Sequence, residues 1–398
     1  MTQVMIPRTL LRDPDRMGGT PAGDCLRGVP VVENGKLRHL RPGAPEGPAP
    51  LILPPLTEAH CHLDKCHTIY RMGAVAGDLK QAIAAQRADK QHWTADDLRQ
   101  RARRGISEAR AAGTRTLRTH VDWGDTPEAP LAWEVFAELA ADTPDLTLQR
   151  ACLVGIEDYA DPDFVRPLVA RIAADGGVLG AFVHGQDRMI DGIRALFRAA
   201  SEAGLPVDFH VDEGLGDLNG LEAIADAARD VRFNGPILCG HAVSLMDRAP
   251  DDVARIIDKL AHCGASVCAL PTTNLYLQDR RSGTPDRRGL TRLRELRKGG
   301  VPVLTASDNI ADAFCPMGQF DPMAALHLAA LGAHLDPPMA DWLPMITTDA
   351  RAALGLPVQM VEDLDVGDLM TCAVEDTNAL VAGRAPLVQW RDAAMRHS

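Results

Sequence analysis

The sequence is poor in the features that mark several large protein classes. Phe, Trp and Tyr make up 4% of its 398 residues, the net charge is −12, and no block rich in Lys or Arg occurs. A surface that tracks nucleic acid needs a basic stripe, so a nucleic-acid polymer is not an expected partner. No apolar run approaches the roughly 20 residues that cross a bilayer, and Met1-Thr2-Gln3-Val4 opens no basic-then-apolar leader. The expectation is a cytoplasmic protein without membrane association. No CxxC pair is present. The nine cysteines are odd in number and lie mostly in apolar runs such as Ala265-Ser266-Val267-Cys268-Ala269-Leu270. They are expected to be buried, reduced thiols. GxSxG, Walker A and dinucleotide GxGxxG motifs are also absent.

What is present suits a large, well-packed core: hydrophobic residues are 46% and charged residues 24%. Short β-rich runs at about 56–62, 115–122, 146–154, 177–184, 206–212, 235–242, 265–273 and 301–307 alternate with amphipathic segments. Examples of the latter are Asp97 to Ala112, Phe164 to Ala174 and Asp251 to His262. The runs are apolar on both faces, as parallel strands covered by helices are. Eight such units favour a (β/α)8 TIM-type barrel over an open doubly wound sheet, because the notable polar residues fall at strand ends. The flanks differ. Residues 1–55 are rich in Pro and Gly, with Asn34-Gly35 as a hairpin turn. Residues 351–398 carry further short apolar runs. The expected organisation is a catalytic barrel over 56–350 and a small β-sandwich domain formed from both chain ends.

In a strand, residues i and i+2 face the same way. Thr57-Glu58-Ala59-His60-Cys61-His62 therefore aims two imidazoles together, half of a metal site, while Cys61 faces the helices. Strand five ends Asp208-Phe209-His210-Val211-Asp212-Glu213, with a third imidazole and a carboxyl just beyond. Strand six ends at His241 and strand eight at Ser307-Asp308. His120 and His184 also stand at strand ends, and pocket-lining and structural roles are evenly matched for both. Lys65 and His67, after strand one, could reach the pocket mouth.

In these residues the chain resembles the amidohydrolase superfamily, and within it the cytosine deaminase branch. The resemblance runs from about Pro54 to Val366. It rests on Pro55 to Asp64, Arg118-Thr119-His120-Val121-Asp122, His210 to Glu213, Asn274 to Arg280, Arg287 to Arg292, and Ala313-Phe314-Cys315-Pro316-Met317-Gly318. Two-metal members bridge their ions with a carboxylated lysine from the middle of the barrel. No lysine lies between Lys90 and Lys259, so the resemblance implies one divalent metal, Fe2+ or Zn2+, held by His60, His62, His210 and Asp308. It further implies that Asp308 takes a proton from a metal-activated water, that His241 aims it, and that Glu213 protonates the ring nitrogen and helps the amine leave.

The same resemblance implies a substrate wall that includes Phe314, and here the chain departs from the pattern. Where cytosine deaminases carry a base-reading glutamine after strand three, Gly155 or Ile156 stands. Where they carry a second aspartate after the metal ligand, Asn309 stands. Both changes touch substrate recognition rather than metal chemistry. The expected reaction is hydrolytic deamination of a small aminated heterocycle: cytosine, isocytosine or a related aminopyrimidine or triazine. The alternatives are hydrolysis of a cyclic amide or a substituted triazine C–N bond, and ligand binding without turnover. The H-x-E and P-C-x-x-C motifs of the separate zinc-fold cytidine deaminases do not occur. The expected partner is a small heterocyclic molecule, with a homo-oligomeric state left open.

Overall fold

The computed structural model describes residues 3–43, 47–73, 75 and 77–390. Strands β1 (Val4–Pro7), β2 (Thr20–Ala22), β3 (Cys25–Glu33), β4 (Lys36–Arg41) and β5 (Leu51–Leu53) precede the barrel. The barrel strands are β6 (Leu56–Cys61), β7 (Thr114–Asp122), β8 (Thr147–Gly155), β9 (Leu179–Val183), β10 (Val207–Val211), β11 (Ile237–His241), β12 (Ala265–Ala269) and β13 (Val303–Thr305). Two more, β14 (Met370–Cys372) and β15 (Val388–Gln389), follow.

Strands β6 to β13 pair in sequence order in one parallel sheet. The ring closes where Asp308 N–H donates to the His60 carbonyl at 2.9 Å, pairing residues 61 and 308 across the seam. Helices cover the outside because alternate strand residues demand it. In β10, Val207, Phe209 and Val211 are fully buried, with the Phe209 ring 5.7 Å from Phe197 of the helix Met189–Ala203. That helix buries Ile193, Leu196, Phe197 and Ala200 along one stripe and stops at Gly204, whose φ of 66° takes the left-handed conformation. Ile193, Leu196 and Phe197 each contribute roughly 1.5–3 kcal/mol by leaving water.

The flanks assemble one seven-stranded sheet from both chain ends. β5 pairs with β1 on one side and with β14 on the other. Asn34 and Gly35 have φ of 52° and 77°, the turn that the β3–β4 hairpin requires. Residues 391–398 of the expected C-terminal flank lie outside the described residues. All nine cysteines are free thiols, eight of them buried. Among the described residues no helix is long and apolar enough to cross a membrane.

Several expected strands shorten at their ends, most in 265–273 and in 301–307, the latter being strand only over Val303–Thr305. The run 265–273 is strand only to Ala269, and Pro271–Leu277 is helix. Pro271 has no N–H for a ladder and its fixed φ suits the first helical turn.

The barrel interior is polar at its centre. Arg118, fully buried, donates from Nη1 to Asp208 Oδ2 at 2.8 Å, from Nε and Nη2 to Gln149 Oε1, and from Nη2 to the Leu354 carbonyl. Arg118→Met is expected to destabilise the protein by about 3–5 kcal/mol, because it leaves the Asp208 carboxylate buried without its cation. A lower urea midpoint checks this, and an unchanged midpoint contradicts it.

Candidate active site

All eight strands run the same way, so their C-terminal ends open on one rim. His60 is near the end of β6 and His62 lies just past it. His210 is in β10, His241 ends β11, and Asp308 follows β13. Asp212, His241 and Asp308 have φ of 52°, 69° and 63°. These left-handed residues turn the chain at the rim, where strain is tolerated because the surrounding structure fixes it. Gly240 permits the closest approach. A Cβ there would lie 2.8 Å from His60 Cε1, so a side chain would displace the ring.

The ligand-capable atoms converge. His62 Nε2 is 3.3 Å from Asp308 Oδ1 and 3.1 Å from His210 Nε2, and His60 Nε2 is 3.6 Å from Asp308 Oδ1. Two ligands on one ion at ~2.1 Å stand about 3.4 Å apart in a tetrahedral arrangement, so these separations fit a shared ion. They fall into two overlapping groups, each within 4.8 Å: His60, His62, His120 and His210, and His60, His210, His241 and Asp308. Buried His60 Nε2 and both Asp308 oxygens have no hydrogen-bond partner among the described residues. Polar atoms so buried are costly unless they are ligands.

Electrostatics favour the same use. Burial holds the imidazoles of His60, His62 and His210 below their ordinary pKa, aided by His120 at His60, by the Lys65 ammonium at His62, and by His60 at His210. Neutral imidazole is the ligating form. Burial opposes ionisation of Asp308, but His60 and His62 hold its carboxyl well below the usual range.

Glu213 behaves differently. Burial pushes its carboxyl up to about 7, opposed by His241 and Lys65 and aided by Asp308, so protonated and ionised forms are both populated near neutrality. Its Oε2 lies 3.6 Å from His241 Nε2. His241 Nδ1 is 3.1 Å from Asn274 Oδ1. An amide oxygen there accepts the Nδ1 proton and leaves the Nε2 lone pair facing the cavity. Asn274 belongs to the helix that replaces the end of the expected strand, a contact not visible from strand periodicity. Asp212 is a brace: its carboxylate accepts from Gly220 N, Leu221 N and Ser244 Oγ and so fixes the turn that carries Glu213.

A cavity of about 430 Å3 joins these groups. Its wall includes His62, His210, Glu213, His241 and Asp308, with Gly155, Asn309, Phe182 and Phe314. Asn309 spends its amide N–H on Asp312 Oδ2, at 2.7 Å. At Gly155 a Cβ would meet the Glu157 and Asp158 carboxylates at 3.1 Å. Two expected substrate contacts are not on this wall. His120 is fully buried among the clustered imidazoles, its ring centroid 4.0 Å from that of His60 and its Nε2 3.1 Å from Asp208 Oδ1. His184 stacks behind Phe182 at 5.6 Å. Ending a strand does not say which layer a residue occupies. His67 also lies elsewhere, 3.2 Å from Glu108, whereas Lys65 does face the cavity. The helix Leu79–Lys90 and the β7 end supply wall residues not anticipated, including Gln86, Lys90 and Asp122. Their signal, a Lys90 Nζ to Asp122 Oδ2 pair at 3.0 Å, is a tertiary one.

The amidohydrolase family profile matches residues 170–362. A pterin deaminase from Rhizobium rhizogenes (strain K84) is 35% identical over 340 residues, which are 82% of this chain and 77% of that protein. The structure of 5-methylcytosine deaminase from Klebsiella pneumoniae with 5-fluorocytosine aligns with a TM-score of 0.79 at 22% identity, over 98% of this chain and 96% of that one. N-isopropylammelide isopropylaminohydrolase from Burkholderia multivorans aligns at 0.74 and 20% identity, over 98% and 97%. The two structures share the fold. The histidine and aspartate cluster is a divalent-metal site. With the pterin deaminase identity extending over most of both proteins, the chain belongs to the amidohydrolase family and is a hydrolytic enzyme of C–N bonds.

Proposed function

We propose that the protein hydrolytically deaminates a 2-amino-4-oxo heterocycle, a pterin or a close relative, with one Fe2+ or Zn2+ held by His60, His62, His210 and Asp308. The observation that carries the reaction type is Glu213, a buried carboxyl raised toward neutrality that shares the cavity wall with Asp308 and stands 3.6 Å from His241. Support for the substrate class comes from the relative that acts on pterin and from the cavity. About 430 Å3 is within the range of sites for drug-sized ligands and exceeds what a single ring fills. Phe182 and Phe314 offer flat apolar surface, and Gly155, one of the two residues that stand where the branch carries a glutamine, adds no side chain. A pterin contains an isocytosine ring, so this reading stays within the aminopyrimidine class that the sequence suggests.

The ion, when bound, supplies a water acidified toward neutrality. Asp308 takes a proton from the attacking water while His241 Nε2 accepts its hydrogen bond. Glu213 gives its proton to the ring nitrogen beside the attacked carbon. A C–O bond forms and the exocyclic C–N bond breaks. The two protons of the water restore Glu213 and complete the leaving ammonia, and the product is the lactam. The charges that develop are met by groups already fixed by Asn274 and Asp212, so little reorganisation is needed.

Wild-type protein is expected to hold about one equivalent of metal and to release ammonia from pterin. Absence of ammonia from pterins, aminopyrimidines and aminotriazines alike would sink the proposal, and a ring-opened cyclic amide would favour the alternative. Glu213→Gln is expected to lower kcat by about 10²–10⁴-fold with metal content unchanged, measured on the same samples. Asp308→Asn is expected to lose both metal and turnover. Full metal content in that variant would remove Asp308 from the ligand set.

A further inference from the structure

One group on the cavity wall has no task in the reaction above. Lys65 is 7% exposed, and its Nζ stands 5.1 Å from the centre of the Phe314 ring. Among the described residues no acceptor lies within hydrogen-bond or ion-pair distance of that ammonium, although it lines the cavity with His62, Glu213 and Asp308. Lys90 differs, being spent on Asp122. An ammonium has three donors and no acceptor, and those of Lys65 face the cavity, where a bound ring can meet them. Burial works against the charge, but the carboxylates of Asp64, Asp122, Asp312 and Asp308 outweigh it, so the ammonium keeps its proton.

Position matters as much as charge. Lys65 follows β6, Glu213 follows β10, and these are the first and fifth of eight strands in the ring. The two groups therefore reach the cavity from opposite sides. A ring bound between them meets a proton donor at each edge. In a 2-amino-4-oxo ring with its proton on N3, the basic nitrogen N1 lies on one side of C2 and the 4-oxo group beyond the other. That pattern presents acceptors on both flanks of the attacked carbon.

We propose that Lys65 is the specificity-determining residue that takes the ring oxo group of the substrate, in a site lacking the glutamine that reads the base in related deaminases. This rests on the deaminase reading for the identity of the ring. The consequence is discrimination: a ring with an amino group in place of the oxo group turns a donor toward a donor and is rejected.

The test compares two pteridines on metal-loaded protein carrying Glu213→Gln, whose slowed turnover lets binding equilibrate first, using their fluorescence to measure Kd. With Lys65 present, 2-amino-4-oxopteridine is expected to bind at least ~100-fold more tightly than 2,4-diaminopteridine. Adding Lys65→Met is expected to bring the two within about 10-fold by weakening the oxo ring, at unchanged metal content and unfolding midpoint. Equal binding of the two rings with Lys65 in place, or an equal loss for both in the variant, would overturn the assignment. If Lys65→Met does not fold, Lys65→Gln keeps an uncharged donor and is expected to retain part of the preference. Loss of fold in that variant too would make Lys65 a counterweight for the surrounding carboxylates and end the proposal. Ammonia release by wild-type protein is measured separately. Its absence together with an intact binding preference would reject the deaminase reading and leave the Lys65 contact standing.

Discussion

The barrel and its chemistry meet at one hydrogen bond. Asp308 N–H donates to the His60 carbonyl across the seam between β13 and β6. The contact that shuts the ring thereby brings the Asp308 carboxylate to the His60 and His62 imidazoles. A sheet left open there would separate the two halves of the proposed ligand set. Asp308 needs a left-handed backbone to do this, a conformation that aspartate tolerates better than most residues. Closure and metal site are thus one constraint, and residues at the seam are not free to vary for packing alone.

Below the ligands, the barrel centre is polar where such cores are filled mainly by branched apolar chains. Arg118 and His120 of β7 face Asp208 and His210 of β10, two residues apart on each strand. The ladder settles Asp208 between a guanidinium and an imidazole. Burial opposes its ionisation, yet His120 and Arg118 hold its carboxyl well below the usual range. His120 in turn lies against His60. The cost of burying charge is met by pairing, and the rigid column beneath the site holds the imidazoles in their orientations.

Much of this was legible in the sequence for reasons of geometry. Strand periodicity puts His60 and His62 on one face, and parallel strands bring distant ends to one rim. Depth along the barrel axis was not legible. His120 and His184 look alike as strand-end histidines, yet one is buried among the imidazoles beside Asp208 and the other stacks on Phe182. Asn274 lies in a motif that carries the family resemblance, but its partnership with His241 depends on a helix that begins at Pro271, where strand periodicity predicts a strand. Lys65 stands three residues after His62, and only the cavity shows that it lacks a partner while His67, two residues later, pairs with Glu108 outside.

The central claim is a single ion held by three imidazoles and one carboxylate in a site that closes with the barrel. X-ray absorption on metal-loaded protein tests it most directly. The account predicts one metal with nitrogen and oxygen neighbours at about 2.0–2.2 Å, at least three of them imidazoles. Sulfur in the first coordination sphere, or a second metal at about 3.5–4 Å, would contradict it.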